Sequence, residues 1–80
     1  MAFVINIDGE VDDLGAKPGL KAMQRAVGGL IERVELGSVT VYVNEEGLVH
    51  DLPVNEAVAK ATGMVFRGPV IIMDDGDEEE

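Results

Sequence analysis

The chain has 80 residues, enough for one small domain, and carries a net charge of −10 at pH 7. It contains no Cys and a single His, which excludes disulfides, thiolate metal ligands and a structural zinc site. Its 16 acidic residues against six basic ones argue against direct nucleic-acid binding, which depends on Lys and Arg neutralising phosphates.

The apolar and acidic residues are distributed as in a soluble cytoplasmic domain that ends in a charged tail. No apolar run approaches the roughly 20 residues that a membrane-spanning helix needs. The N-terminus MAFVINID lacks the basic flank and cleavage site of a signal peptide. We expect one folded domain over residues 1–73 and a disordered acidic tail over residues 74–80, which is either solubilising or binds a basic partner surface.

The N-terminal stretch predicts one strand and one loop. Residues 2–7 (AFVINI) form a β-prone apolar run that is typical of a central strand. The segment DGEVDDLGAK that follows is predicted to be a polar connection. Its acidic residues imitate the start of a calcium-binding loop, but Asp13 and Gly19 stand where such a loop requires Gly and Glu, so we expect no metal site.

A short helix is predicted next. Pro18 suits a first helical position, and Leu20, Met23 and Val27 recur at the spacing of one helical face. This apolar stripe is expected to belong to the core. The Gly28–Gly29 pair would then end the helix in a left-handed conformation.

The stretch LIERVELGSVTVYVN predicts a β-hairpin. Its Gly37–Ser38 connection has the pattern of a two-residue type II′ turn, which fixes the strand register. Under that register Glu32 lies opposite Val43 on one face of the hairpin. On the other face Arg33 lies opposite Tyr42, a surface pair worth roughly 0.5–1 kcal/mol as a cation–π contact.

Glu32 is a charged residue in an otherwise apolar phase of the first hairpin strand, shared with Leu30, Val34 and Leu36. A lone buried carboxylate is costly unless it is hydrogen-bonded or protonated. Three interpretations stay open. Glu32 accepts hydrogen bonds from backbone amides of a neighbouring loop, or it faces a ligand or acts as an acid near Glu45, or a bulge turns it outward.

The C-terminal half predicts a turn, a second helix and a last strand. Residues 44–47 (NEEG) are typical of a turn. Asn55 is a candidate cap for a helix that Gly63 ends. The stretch MVFRGPVIIM indicates a strand that is interrupted before its last residues, because Pro69 cannot donate to a β-ladder.

The predicted order of elements is strand, helix, strand, strand, helix, strand. This is the βαββαβ order of ferredoxin-like α+β domains. We therefore expect a small antiparallel four-stranded sheet with two short helices on one face. A small curled sheet with the same elements in a different strand order is the alternative.

Four segments, VGGLIERVEL, YVNEEG, LPVNEAVAKATG and RGPVII, together resemble a phage-associated family, domain of unknown function 3846. The family pattern is GGxIE, NEEG, LPxNxxA and a closing GxVxI strand, and the resemblance covers residues 27–72. It implies an accessory protein of a phage or other mobile element in the cytoplasm of a bacterial cell, without a defined activity. The residues that match the pattern are Gly28, Gly29, Glu32, Asn44, Glu45, Gly47, Asn55 and Gly68.

These features predict a non-catalytic binding module that acts on a host or phage macromolecule through an unidentified protein partner. The sequence has no nucleophile elbow, His dyad or phosphate-binding loop, so neither an enzyme nor a cofactor is expected. One alternative is a phosphate-mimicking inhibitor of a nucleic-acid-handling or defence enzyme. Another is a small-molecule or enzymatic pocket around Glu32, Asn44 and Glu45. The apolar content of 46% is also compatible with a homodimer.

Overall fold

The computed structural model describes residues 1–37, 39–47 and 50–74 of the chain. These residues form five strands and two helices. In chain order the elements are β1 (Ala2–Ile5), β2 (Val11–Gly15), α1 (Leu20–Val27), β3 (Ile31–Leu36), β4 (Val39–Asn44), α2 (Glu56–Thr62) and β5 (Val70–Asp74). The strands form one antiparallel sheet in the order β2-β1-β5-β4-β3, so β2 and β3 are its edges.

The predicted four-stranded, ferredoxin-like sheet with both helices on one face is wrong. The sheet has five strands, the last strand lies at its centre between β1 and β4, and the two helices cover opposite faces. The sequence of β5 explains its position. Val70 and Ile71 are both fully buried, although neighbouring side chains of a strand point to opposite faces. A strand that is apolar at consecutive positions needs cover on both sides.

Each helix packs on a hydrophobic core of its own. On one face α1 covers β5 and its neighbouring strands, and the residues buried there are Ala2, Val4, Met23, Val27, Ile71 and Met73. On the other face α2 covers β4 and β5, and the residues buried there are Val41, Val43, Val58 and Val70. Leu20, predicted to belong to the core stripe, is instead 57% exposed. Neither helix in the described part of the chain is long and apolar enough to cross a membrane.

The segment predicted to be a polar loop forms β2 and pairs with β1. In the turn between them the Asn6 N–H donates to the Glu10 carbonyl (2.8 Å), and Gly9 has a φ of 90°. This turn ends β1 at Ile5, earlier than predicted. Asp8 followed by Gly9 is a hairpin signal, but the strand after it is acidic and mostly exposed. Because the residues of β2 have low β-propensity, the sequence did not predict this strand, which the preceding turn specifies.

The β3–β4 hairpin has the predicted register. Glu32 pairs with Val43 and Arg33 pairs with Tyr42. Gly37 has a φ of 68°, a conformation that tight hairpin turns require and that Gly adopts without strain. The second residue of the predicted turn, Ser38, lies outside the described residues.

The predicted cap of α2 and the predicted C-terminal ends of both helices are confirmed, whereas the predicted start of α1 at Pro18 is wrong, because α1 begins at Leu20 after Gly19. The side chain of Asn55 caps α2 by accepting a hydrogen bond from the Val58 N–H (3.2 Å), and Gly63 ends that helix in the left-handed region. Gly28 ends α1 in the same way, with a φ of 83°. Local signals therefore set the C-terminal ends of both helices and the start of α2, whereas the N-terminus of α1 has no side-chain cap.

The C-terminal boundary of the sheet lies at Asp74, the residue with which the predicted tail begins. Asp74 is the last residue of β5 and pairs with Val39 of β4. The rest of the predicted tail, residues 75–80, lies outside the described residues. Its disorder stays a prediction.

Replacing Ile71 with Ala should lower the free energy of unfolding by about 2–5 kcal/mol, because truncating a fully buried side chain leaves a cavity. Val11→Ala, at an exposed position of the edge strand β2, should cost less than about 1 kcal/mol. Chemical denaturation of both variants measures the difference. Equal losses would contradict the central position of β5.

Candidate functional site

A cleft opens at the end of the sheet where β4 leads into the connection to α2. Its volume is about 280 Å³, and we name it the Glu32 cleft. The residues that line it are Glu32, Val43, Asn44, Glu45, Gly47, Val65, Phe66 and Arg67. The predicted site residues Glu32, Asn44, Glu45 and Gly47 therefore meet in one place.

Glu32 points to the predicted face of the hairpin but is not buried. It lies opposite Val43 on the α2 side of the sheet, and its side chain is exposed because β3 is an edge strand with a neighbour on one side only. In the described part of the chain no residue forms a hydrogen bond or ion pair with its carboxylate. The β3–β4 register has no bulge. The buried, hydrogen-bonded interpretation and the bulge are both wrong, and a ligand-facing role stays a prediction.

Asn44 is a structural residue at the base of the cleft, and its side chain is buried. Its Nδ2 donates to the Val27 carbonyl at the end of α1 (3.0 Å), and its Oδ1 accepts from the Glu46 N–H (2.8 Å). Gly29 passes so close that a Cβ there would lie 3.1 Å from Nδ2 of Asn44. These contacts fasten the end of α1 to the end of β4 and position the neighbouring Glu45.

Asn55 fastens the connection between α2 and β5 to the sheet, and it is fully buried. Besides capping α2, its side chain donates from Nδ2 to the carbonyls of Ile5 (2.8 Å) and Gly68 (3.0 Å). Gly68 has a φ of 81°, and a Cβ there would lie 2.8 Å from Cδ1 of Leu52. This position therefore requires Gly. Asn55 and Gly68 brace the wall of the cleft from behind and do not line it.

Val65, Phe66 and Arg67 form that wall, and the sequence did not predict it. Val65 is 69% exposed, whereas Phe66 is half-buried. The Arg67 guanidinium turns away from a ligand: its Nη1 donates to the Leu52 carbonyl (2.8 Å) and lies 3.8 Å from Oδ1 of Asp51. The wall is consequently apolar with one cation that already has partners.

Close backbone packing holds the wall against the turn after β4. Val54 and Arg67 form an isolated β-bridge, and the Leu52 N–H donates to the Gly47 carbonyl (2.9 Å). A Cβ at Gly47 would lie 3.3 Å from the Arg67 carbonyl oxygen. The Val54–Arg67 bridge and the approach of Gly47 to Arg67 join residues distant in sequence, so no local pattern could have signalled them.

The predicted surface pair of Arg33 and Tyr42 lies on the α1 side of the sheet, away from the cleft. The two residues are cross-strand neighbours, and Tyr42 packs against the α1 core. The Arg33 guanidinium forms an ion pair with Glu35 on the same strand, with Nη2 and Oε2 3.0 Å apart. The cation–π contact stays a prediction.

The exposed carboxylates of Glu32 and Glu45 are the groups that the cleft presents to a ligand. Asn44 is engaged inside the fold, and Arg67 donates to the main chain. Among the described residues no group of three or more His, Asp or Glu side chains could hold a metal ion. An acidic cleft with an apolar wall instead suits the binding of a cationic group.

The family model of domain of unknown function 3846 (DUF3846) matches residues 2–80 of the chain. The chain belongs to this family. Comparison with curated proteins and with solved structures finds no match. In this DUF3846 domain the residues that shape and fasten the main chain around the cleft, all of them in the pattern predicted from the sequence, are Gly29, Gly47, Gly68, Asn44 and Asn55. The two glutamates do not, which separates them from the structural residues.

Glu32→Gln should leave the free energy of unfolding within about 0.5 kcal/mol of the original, because an exposed side chain without bonded partners contributes little to stability. Chemical denaturation at neutral pH measures this. A loss of about 1 kcal/mol or more would indicate a hydrogen-bonded strut and contradict the exposed position of Glu32.

Asn55→Ala should cost about 2–4 kcal/mol, because it removes the α2 cap and leaves the carbonyls of Ile5 and Gly68 without their buried donor. Asn55→Ser keeps a capping oxygen and should recover about 1 kcal/mol of that loss. Denaturation curves of both variants measure the losses. If Asn55→Ala were as stable as Glu56→Ala, an exposed neighbour, the bracing role would be refuted.

Proposed function

We propose that this domain is a non-catalytic binding module whose Glu32 cleft binds a basic segment of a partner protein. The observation that carries the proposal is the pair of exposed carboxylates, Glu32 and Glu45, beside the apolar wall of Val65 and Phe66. Because both carboxylates face water, they contribute little to the stability of the fold. Their availability makes the cleft a receptor for a cation.

A Lys or Arg side chain of the partner fits both parts of the cleft. Its aliphatic stem can lie along Phe66 and Val65, as the stems of long basic side chains do on apolar surfaces. Its charged head then meets Glu32 and Glu45, and charge-assisted hydrogen bonds of this kind are stronger than neutral ones. Arg67 does not compete for these carboxylates, because its guanidinium donates to Leu52.

The size and exposure of the cleft favour a protein segment over an enclosed small molecule. Its volume of about 280 Å³ lies just below the range that is usual for small-molecule pockets. Val65 is 69% exposed, and both carboxylates are open to solvent. A side chain carried on a larger partner gains its remaining contacts outside the cleft, whereas a small ligand cannot.

The charge of the whole chain supports the same choice of partner. A net charge of −10 attracts basic protein surfaces over a distance and repels nucleic acid. Such a module suits an accessory protein of a phage or other mobile element, acting stoichiometrically on a macromolecule in the cytoplasm of a bacterial cell.

Capture from a bacterial lysate tests the proposal when the cleft is compared with a matched surface. The immobilised domain should retain a basic protein at roughly 0.05 M salt, and recovery should fall steeply at about 0.5 M salt, where surface charges are screened. The variant Glu32→Gln/Glu45→Gln should recover at least about tenfold less of that protein, because two charge-assisted contacts are lost. Quantitative mass spectrometry of the bound fraction measures both changes.

The control variant Glu10→Gln/Glu56→Gln removes the same amount of charge from exposed positions outside the cleft. It should retain the partner at nearly the original level. Equal recovery of every bound protein by the cleft variant and by the control would show that general acidity, and not the cleft, is responsible.

A further inference from the structure

The edge strand β3 presents an alternating set of main-chain groups to its outer side. The Glu45 N–H donates to the Leu30 carbonyl (2.8 Å), in phase with the pairs Glu32–Val43 and Val34–Val41. Because hydrogen-bonding direction alternates along an antiparallel strand, the even-numbered positions direct their main-chain groups to β4. Ile31, Arg33 and Glu35 direct theirs to the outer edge, where a further strand can pair.

The side chains of β3 discriminate among the ways in which two copies could pair at this edge. In a symmetric antiparallel pair the twofold axis passes through one residue, which then faces itself. Centres at Glu32, Arg33 or Glu35 each place identical charges opposite one another, which is destabilising. Centres at the end residues Ile31 and Leu36 overlap the two strands by one residue only. A centre at Val34 places Val34 opposite itself and Arg33 opposite Glu35 of the second copy, so both charged pairs are attractive.

The Val34-centred register also satisfies the main chain. In this register Arg33 of one copy lies directly opposite Glu35 of the other. Both residues direct their main-chain N–H and carbonyl groups to the outer edge. The twofold axis repeats this pair, so hydrogen bonds form on both sides of the centre. Val34 falls in the non-hydrogen-bonded position, where side chains of opposing residues approach most closely.

We propose that the protein forms a homodimer in which β3 pairs antiparallel with β3 of a second copy, centred on Val34. The side chains of Arg33 and Glu35, 50% and 67% exposed, already lie side by side with 3.0 Å between Nη2 and Oε2. In the dimer each guanidinium lies between two carboxylates, one from each copy. Charged residues on an edge strand usually oppose pairing. The charges of β3 instead favour it, because the Arg of each copy lies opposite the Glu of the other.

Charge reversal at the two positions tests the dimer and its register together. Sedimentation equilibrium of the full chain should give a dimer mass. Arg33→Glu and Glu35→Arg should each raise the dimer dissociation constant at least about tenfold, because each converts two attractive pairs into two repulsive ones. An equimolar mixture of the two variants should recover the dimer, because one chain then carries acids at both positions and faces bases at both positions of the other.

The double variant Arg33→Glu/Glu35→Arg restores opposite charges within a single chain and should also dimerise. Lys21→Glu and Glu10→Arg make the same charge changes at exposed positions outside β3 and should leave the dissociation constant unchanged. A monomer mass for the original chain at about 1 mM, a dimer insensitive to both single variants, or a mixture that stays monomeric would each overturn the proposal. These measurements contain no partner protein, so failure of the dimer and failure of the Glu32 cleft are distinguishable.

Discussion

Main-chain hydrogen bonds run along both sides of β5, to β1 on one side and to β4 on the other, and its side chains are buried on both faces. A strand in this setting requires a cover on each face, which α1 and α2 supply separately. It also moves both hairpins outward, so that β2 and β3 become the edges of the sheet. The exposure of Glu32 and the availability of the β3 edge are direct consequences of this arrangement.

Two buried amide side chains connect the irregular parts of the chain to this sheet. Asn44 joins the end of α1 to the turn after β4, and Asn55 joins the N-terminus of α2 to β1 and to the residue before Pro69. A buried amide with both ends bonded specifies geometry more sharply than an apolar contact, because each hydrogen bond has a direction. The Glu32 cleft lies between the segments that these two residues hold.

The division between structure and function follows from which polar groups have partners. The asparagines are buried and bonded within the fold, and the Arg67 guanidinium donates to a neighbouring carbonyl. Glu32 and Glu45 are left facing water beside an apolar wall. The sequence pattern does not distinguish the asparagines from the glutamates. Their burial and hydrogen bonding do: the asparagines are structural residues, and the glutamates are available to a ligand. This difference is why the proposed binding role falls to the glutamates.

Features that depend on neighbouring residues were predictable from the sequence, and features that depend on distant pairing were not. The Gly37 turn predicted the hairpin register, and Asn55, Gly28 and Gly63 predicted helix ends, because each acts on residues next to it. The position of β5 depends on which strands pair with its two edges. The alternation of apolar and polar residues along the chain does not encode that choice. Glu32 was misjudged for this reason: its phase was correct, but burial depends on strand order.

Amide hydrogen exchange of the β5 residues tests the central position of that strand most directly. A central strand has every N–H bonded to one neighbour or the other, so consecutive amides from Val70 to Met73 should all exchange slowly, at rates close to that of global unfolding. An edge strand bonds only every second N–H across its single partner. Alternating fast and slow exchange along β5 would contradict the account.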